Sequence, residues 1–163
     1  MDHNERRILN PFAGLGSYQC FGCDPHNPIG LKLQFVLRDD EVIATWAPRP
    51  DLEGYPGFIH GGIQATLADE IGAWYVYAVY ATVGITKSLE IHYKRPALVS
   101  AGPFTIRARG ERDGRRYARI HVTLESAANE VCAEAECVYA IVGEAVARSR
   151  FSCPGKEAFF DAN

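Results

Sequence analysis

One long apolar segment limits the folds that are open to this chain. Residues 61–80 begin with two glycines and then place bulky apolar side chains on most sides of a helix. These side chains are Ile63, Leu67, Ile71, Trp74, Tyr75, Val76 and Val79. A helix of this length is roughly 30 Å long, and one that is apolar nearly all round is normally surrounded by protein. Its continuous apolar stretch is short for a membrane span, so the segment predicts a helix buried in the protein interior.

Segments that alternate apolar and polar residues flank this helix, as half-buried strands do. Two of them, residues 31–37 and 42–46, precede the helix and are joined by a polar turn. The strands predicted after the helix cover residues 85–93, 104–110, 116–125 and 130–142. Two strands, one long helix and a run of antiparallel strands predict an α+β fold in which one sheet wraps one helix.

The length of the chain, 163 residues, predicts a single domain with a substantial core. We expect this core at residues 20–142, an irregular or partly helical arm at 1–19 and a tail without a clear period at 143–163. The net charge of -3 and the lack of a Lys/Arg run argue against nucleic-acid binding. No apolar signal segment follows the N-terminus, and the five cysteines indicate no disulfide framework. These features predict a cytoplasmic protein without a membrane partner.

The start of the predicted helix suits a developing negative charge. The first N–H groups of a helix have no partner within it, and Gly61 and Gly62 let a reacting carbonyl approach that backbone closely. Asp69 lies on the same side as Gly62, nearly two turns further on. The same side of the helix carries small residues, which leave room for a ligand: Ala65, Thr66, Gly72 and Ala73. An oxyanion site and a carboxylate together predict acyl transfer or hydrolysis.

Glu70, the neighbour of Asp69, faces bulkier residues and stays open as a second carboxylate. Gly62 and Asp69 are seven positions apart, which is about 10 Å along a helix. An oxyanion donor and a carboxylate must each come within roughly 3 Å of one carbonyl group. One helix does not easily supply both, whereas two antiparallel helices across a two-fold axis do. We therefore predict a homodimer whose two sites each use Gly62 of one chain and Asp69 of the other.

Four short motifs accompany these residues. They are His60-Gly61-Gly62, Thr66-Leu67-Ala68-Asp69, Gly84-Ile85-Thr86 and Tyr93-Lys94-Arg95-Pro96. Over residues 20–142 the chain resembles the hotdog-fold acyl-CoA thioesterases, in the branch that includes the phenylacetate-pathway and hydroxybenzoyl-CoA thioesterases. His60 and Asp69 keep the family's separation of nine positions. The turn-rich leader at residues 20–31 also resembles that of one subgroup.

The resemblance implies a hotdog fold, a homodimer or dimer of dimers, and hydrolysis of an acyl-CoA thioester to a carboxylate and free coenzyme A. It implies no metal or redox cofactor for the chemistry. It makes Asp69 either the general base that activates water or a nucleophile that forms a mixed anhydride. The Gly61 and Gly62 amides would polarise the thioester carbonyl. Thr86 stands where many relatives carry a Ser or Thr that positions water.

Further residues are candidates for substrate contacts. His60 either orients the loop or contributes to the oxyanion pocket, and Gln64 is a candidate to hold the thioester. Arg95, with Lys87 and Lys94, is a candidate to bind coenzyme A phosphates. The structural alternatives are a histidine that only shapes the turn, an ordinary polar residue in the first helical turn, and solvated charges at strand ends.

Cys20 and Cys23 form a C-x-x-C pattern, with His26 near enough to be a third ligand. A structural zinc site normally needs four ligands, and no second pair is evident in the sequence. The pattern therefore favours a turn packed by small hydrophobic side chains, with zinc as the alternative.

Two other functions compete with hydrolysis. A non-catalytic acyl-ligand-binding hotdog module has no use for a carboxylate on the stripe of small residues, so Asp69 argues against it. A hotdog hydratase carries a different arrangement of Asp and His, which this sequence lacks.

Overall fold

The computed structural model describes residues 5–161, apart from the side chains of Arg112 and Asp113. In that range seven strands form one antiparallel sheet. They are Glu5–Ile8 (β1), Phe35–Arg38 (β2), Glu41–Trp46 (β3), Gly84–Tyr93 (β4), Phe104–Asp113 (β5), Tyr117–Glu125 (β6) and Val131–Ile141 (β7). The helices are Gly61–Tyr80 (α1) and Glu144–Phe151 (α2).

The sheet wraps α1, as the sequence predicts. Its strand order is β1-β2-β3-β5-β6-β7-β4, and α1 packs against β2 through β7. Leu67, Ile71 and Val76 are fully buried on the helix. The side of α1 that the sheet leaves open is covered by other segments: the ring of Phe12 packs against that of Tyr77 at a tilt of 51°, with ring centroids 5.3 Å apart. The predicted α+β hotdog architecture, one sheet around one long helix, is therefore confirmed.

The aromatic residues of α1 belong to the core. Trp74 is 1% exposed and stacks on Phe35 with ring centroids 5.0 Å apart. Phe159 meets the same indole edge-on from the C-terminal segment. None of the helices in the described range combines the length and hydropathy that a bilayer span requires.

Two local predictions were wrong, and the tail has structure that its lack of a clear period does not predict. In the arm, residues 5–8 form β1 instead of irregular or helical structure, because they pair with the edge of β2. The strand expected at 31–37 begins only at Phe35, because the N–H groups of Leu31 and Leu33 bind the leader instead of a strand. The tail contains α2 and a short 3-10 helix, Lys156–Phe159. Residues 1–4 of the predicted arm and 162–163 of the tail lie outside the described range.

The edge strand β4 carries an irregularity that matters for the site. β4 pairs with β7, and the register shifts between Thr86 and Ser88, which makes a bulge at Lys87. Just before this bulge, Thr86 lies directly opposite Tyr139. Directly opposed residues present their side chains on the same face of a sheet, so both point to the side on which α1 lies.

Candidate active site

The carboxylate of Asp69 is held at one oxygen by two hydroxyl groups. Thr86 Oγ1 donates to Asp69 Oδ1 at 2.9 Å, and the Tyr139 hydroxyl lies 3.0 Å from the same oxygen. The Tyr139 hydroxyl is also 2.7 Å from the backbone oxygen of Asp69, so its single hydrogen is shared between two acceptors. Within residues 5–161 no donor is bonded to Oδ2. Because Asp69 is half-buried, this second oxygen is the one that a water molecule or an acyl group can reach.

Tyr139 reaches Asp69 because Gly72 has no side chain. A Cβ at Gly72 would lie 2.4 Å from the Tyr139 hydroxyl oxygen. Tyr139 is completely buried, and this burial raises the pKa of its phenol, so the group stays a protonated donor. The space at Gly72, which the sequence assigned to a ligand, is therefore filled by Tyr139.

The start of α1 is capped by the imidazole of His60. The Gly62 N–H donates to His60 Nδ1 at 2.9 Å, so this amide becomes available to a substrate only when the imidazole turns away. A neutral imidazole that accepts at Nδ1 carries its proton on Nε2. The exposed His60 therefore presents an N–H donor at the helix start. The N–H of Gly61, the first residue of α1, has no acceptor within the helix.

Two neighbours fix this turn. The Tyr93 hydroxyl donates to the Gly61 oxygen at 2.8 Å, and a Cβ at Gly61 would lie 3.1 Å from that hydroxyl. Gln64 is 6% exposed, and its Nε2 donates to the backbone oxygen of Ile59 at 3.1 Å. Gln64 Oε1 is buried and has no hydrogen-bond partner among the described residues. Such an acceptor is uncommon in a folded protein and indicates a place for a donor from solvent or substrate.

Glu70 faces a different side of α1 from Asp69, about 100° around the helix axis. Its Oε1 accepts from Trp74 Nε1 at 3.1 Å and lies 3.4 Å from Cys20 Sγ. Burial raises the pKa of Glu70 to about 7. The structure therefore brings Glu70 together with the C-x-x-C pattern, while the hydroxyl groups that hold Asp69 lie elsewhere.

The candidate phosphate-binding cations lie on the exposed part of β4 and just after it. Lys94 pairs with Glu134 at 2.9 Å, and Arg95 lies 3.8 Å from Glu130. Lys87, in the bulge next to Thr86, is exposed and has no ion pair within the described part of the chain.

The sequence reasoning missed Tyr139 and Tyr93. A signal for Tyr139 was present, because the alternation of buried residues along β7 continues from Cys137 to Tyr139. Tyr93 stands in one of the quoted motifs, but its contact with Gly61 joins positions 32 residues apart.

Comparison with known proteins gives one family. The family model of the thioesterase superfamily matches residues 56–139, a range that includes α1 and most of β4 to β7. His60, Asp69, Thr86 and Tyr139 therefore all lie inside the matched segment.

Solved structures of similar fold include proteins crystallised with coenzyme A. A Streptococcus mutans protein bound to acetyl CoA is 22% identical, with 80% of this chain and 97% of that chain covered and a TM-score of 0.63. A hypothetical thioesterase from Streptococcus pneumoniae, with coenzyme A, is 23% identical over 65% and 84%, with a TM-score of 0.59. A Haemophilus influenzae thioesterase is 19% identical over 69% and 80%, with a TM-score of 0.62. At these identities the likeness shows the fold.

Proposed function

The chain belongs to the thioesterase superfamily, and on that premise we propose that it hydrolyses an acyl-CoA thioester to a carboxylate and free coenzyme A. The observation that carries this function is the state of Asp69. One carboxylate oxygen is fixed by Thr86 and Tyr139, and the other has no hydrogen-bond partner among residues 5–161. A carboxylate that is fixed in this way suits a general base or a nucleophile, because its orientation is set before substrate binds.

In the first route, Asp69 Oδ2 takes a proton from a water molecule while the water oxygen attacks the thioester carbonyl carbon. The C–S bond then breaks, and the coenzyme A sulfur leaves with a proton. In the second route, Asp69 itself attacks, coenzyme A leaves, and water hydrolyses the mixed anhydride. Thr86 holds Asp69 in both routes, and Gln64 Oε1 is a candidate to hold the thioester or the water.

The oxyanion would be held at the start of α1 from a second chain. The donors are the N–H of Gly61, the Nε2–H of His60, and the N–H of Gly62 once His60 turns away. A donor of this kind is worth on the order of 3 kcal/mol of transition-state stabilisation. Lys87 and Arg95, both exposed, are candidates to meet the phosphates of coenzyme A.

The proposed homodimer, or dimer of dimers, uses the edge of β4. β4 is ten residues long, lies at the end of the sheet and has no strand beyond it among residues 5–161. An open edge of this length is a template for pairing with another chain. Ile85 and Tyr93 leave 43% and 51% of their surface exposed on this strand. Both observations support an edge-to-edge pair that would bring each α1 start to the partner's Asp69.

The His60-Gly61-Gly62 motif and the leader favour the branch that includes phenylacetate-pathway and hydroxybenzoyl-CoA thioesterases. We place the enzyme in the cytoplasm, where acyl-CoA thioesters occur and thiols stay reduced.

The test is thiol release from a panel of aromatic and aliphatic acyl-CoA thioesters. We expect the wild type to release thiol, and Asp69→Asn to lower kcat by about a hundredfold or more. Asp51→Asn removes a surface carboxylate that pairs only with Arg49 and is the matched control. Equal rates for wild type and Asp69→Asn would exclude Asp69 from the reaction. Binding of acyl-CoA without thiol release would instead identify a non-catalytic acyl-ligand-binding module.

A further inference from the structure

Three potential metal ligands meet on the face of α1 that carries Glu70, and none of them is a partner of Asp69. Cys20 Sγ and Cys23 Sγ are 3.2 Å apart, and Cys20 Sγ is 3.4 and 3.6 Å from the two oxygens of Glu70. A ligand atom from each of the three residues lies within 4.8 Å of both others. We call these residues the Cys20–Cys23–Glu70 cluster.

The leader is shaped to bring Glu70 against the two thiols. Gly22, between the cysteines, is buried, and a Cβ there would lie 2.3 Å from Glu70 Oε2. The loop is pinned on both sides of this contact, because Leu31 N–H donates to Phe21 O at 2.7 Å and Leu33 N–H donates to Gly22 O at 2.9 Å. The position of Glu70 is thus built into the backbone of the leader.

The sulfur of Cys20 is surrounded by donors. The thiol of Cys23 lies 3.2 Å from it, and the backbone N–H groups of Cys23 and Gly22 donate to it. Amide donors around a sulfur stabilise the thiolate, which is the form that binds metals. On the other side, the Tyr18 hydroxyl lies 2.8 Å from Cys23 Sγ and offers the outer hydrogen bond that typically orients a ligand.

A turn packed by small hydrophobic side chains does not account for this arrangement. Such a turn explains the buried Cys23 and the half-exposed Cys20, but it does not explain why a half-buried carboxylate joins them at a cost in solvation. A Cys20–Cys23 disulfide would likewise not explain why the carboxylate of Glu70 lies against these two residues. A bound cation accounts for all three residues, because it offsets the cost of gathering negative ligands.

We propose that Cys20, Cys23 and Glu70 bind a thiophilic divalent metal ion such as Zn²⁺, with solvent as the fourth ligand. In a tetrahedral zinc site, bond lengths of 2.0–2.3 Å place neighbouring ligand atoms about 3.5–3.8 Å apart. The Cys20–Glu70 separations of 3.4 and 3.6 Å are close to this range, the Cys20–Cys23 separation of 3.2 Å must open by about half an ångström, and the Cys23–Glu70 separation lies within 4.8 Å. Cys20 is half-exposed, so water reaches the cluster.

His26, the third ligand that the sequence suggested for zinc, does not take part. Its side chain is 77% exposed and lies 3.5 Å from Asp24. Glu70, which is 50 positions away from Cys20, takes its place. The metal would therefore tie the leader to α1, and it would do so away from the hydroxyl groups that hold Asp69, so its part is structural.

The experiment is a titration of the reduced, metal-free protein with Co²⁺, followed by competition with Zn²⁺. We expect one Co²⁺ per chain, an intense thiolate-to-cobalt absorption band, a higher melting temperature with metal, and loss of the band on adding Zn²⁺. Elemental analysis of protein purified without chelators gives the native ion. These readouts do not involve thioester hydrolysis, so they stand apart from the proposed catalytic function.

Cys20→Ser and Cys23→Ser should each abolish the cobalt band, and Glu70→Gln should weaken Co²⁺ binding at least about tenfold. Cys153→Ser, at a buried cysteine outside the cluster, is the matched control and should keep the band. The melting curve of each metal-free variant shows whether that variant folds. If Cys23→Ser does not fold, Cys20→Ser tests the site instead, because Cys20 is half-exposed. Absence of the band in the wild type, an unchanged affinity in Glu70→Gln, or a Cys20–Cys23 disulfide in freshly isolated protein would each overturn the assignment.

Discussion

Asp69 and Glu70 are neighbours in the sequence, yet they lie in opposite surroundings on α1. Asp69 meets two hydroxyl groups from β4 and β7 and keeps one oxygen without a partner in the described range 5–161. Glu70 meets two thiols and an indole N–H, and burial raises its pKa to about 7. Adjacent helix positions point about 100° apart. The segment packed against each face, and not the residue type, therefore sets what each carboxylate does.

The two carboxylates differ most if Asp69 acts together with the α1 start of a second chain, and a pair of variants tests this. Gly61→Pro removes the Gly61 N–H, and the extended ψ of 135° at His60 suits a residue before proline. We expect Gly61→Pro and Asp69→Asn each to lose about a hundredfold in kcat. Refolding the two variants together should restore roughly a quarter of the wild-type rate, because half of the dimers are mixed and each has one intact site. No recovery, in mixtures shown to contain mixed dimers, would place the whole site in one chain.

The substitution Gly72→Ala tests whether Tyr139 orients the carboxylate of Asp69. The new methyl group would lie 2.4 Å from the Tyr139 hydroxyl and would push that donor off Asp69. We expect kcat to fall about tenfold and the free energy of unfolding to fall by about 1–3 kcal/mol. Steady-state kinetics and urea unfolding measure the two effects. A variant that is destabilised but fully active would show that Tyr139 supports the fold without orienting Asp69.

The matched substitution on the Glu70 face is Gly22→Ala. Its methyl group would lie 2.3–2.5 Å from the Glu70 carboxylate, and we expect a similar loss of about 1–3 kcal/mol in the free energy of unfolding. The kcat of the folded variant should stay within about twofold of wild type, because the Asp69 partners are untouched. A large loss of kcat would mean that the two faces of α1 are coupled.

The helix and its neighbours were predictable because they depend on local periodicity. The apolar residues of 61–80 and the spacing of His60 and Asp69 can be read without any long-range contact. The strand β1 could not be predicted, because residues 5–8 are mostly charged and become a strand only by pairing with β2. Leu31 and Leu33 have the pattern of a strand, but their N–H groups bind the leader.

The site was predictable only in part for the same reason. The motif located His60, Gly61, Gly62 and Asp69, since all four lie within ten consecutive positions, 60–69, at the start and in the first half of a single helix. The role of Tyr139 requires the pairing of β4 with β7, which places it opposite Thr86. The contact of Glu70 with Cys20 joins residues that are 50 positions apart, and no pattern within either segment predicts this contact.

The fit of Tyr139 over Gly72 has a consequence for the history of this chain. The two positions share one small volume, so they are not free to change one at a time. A larger residue at 72 needs a smaller one at 139, and the loss of the phenol then leaves Asp69 held by Thr86 without its second hydroxyl group. Across related sequences positions 72 and 139 should therefore covary. Sequences that have lost the Gly72–Tyr139 pair should also have lost the carboxylate at position 69.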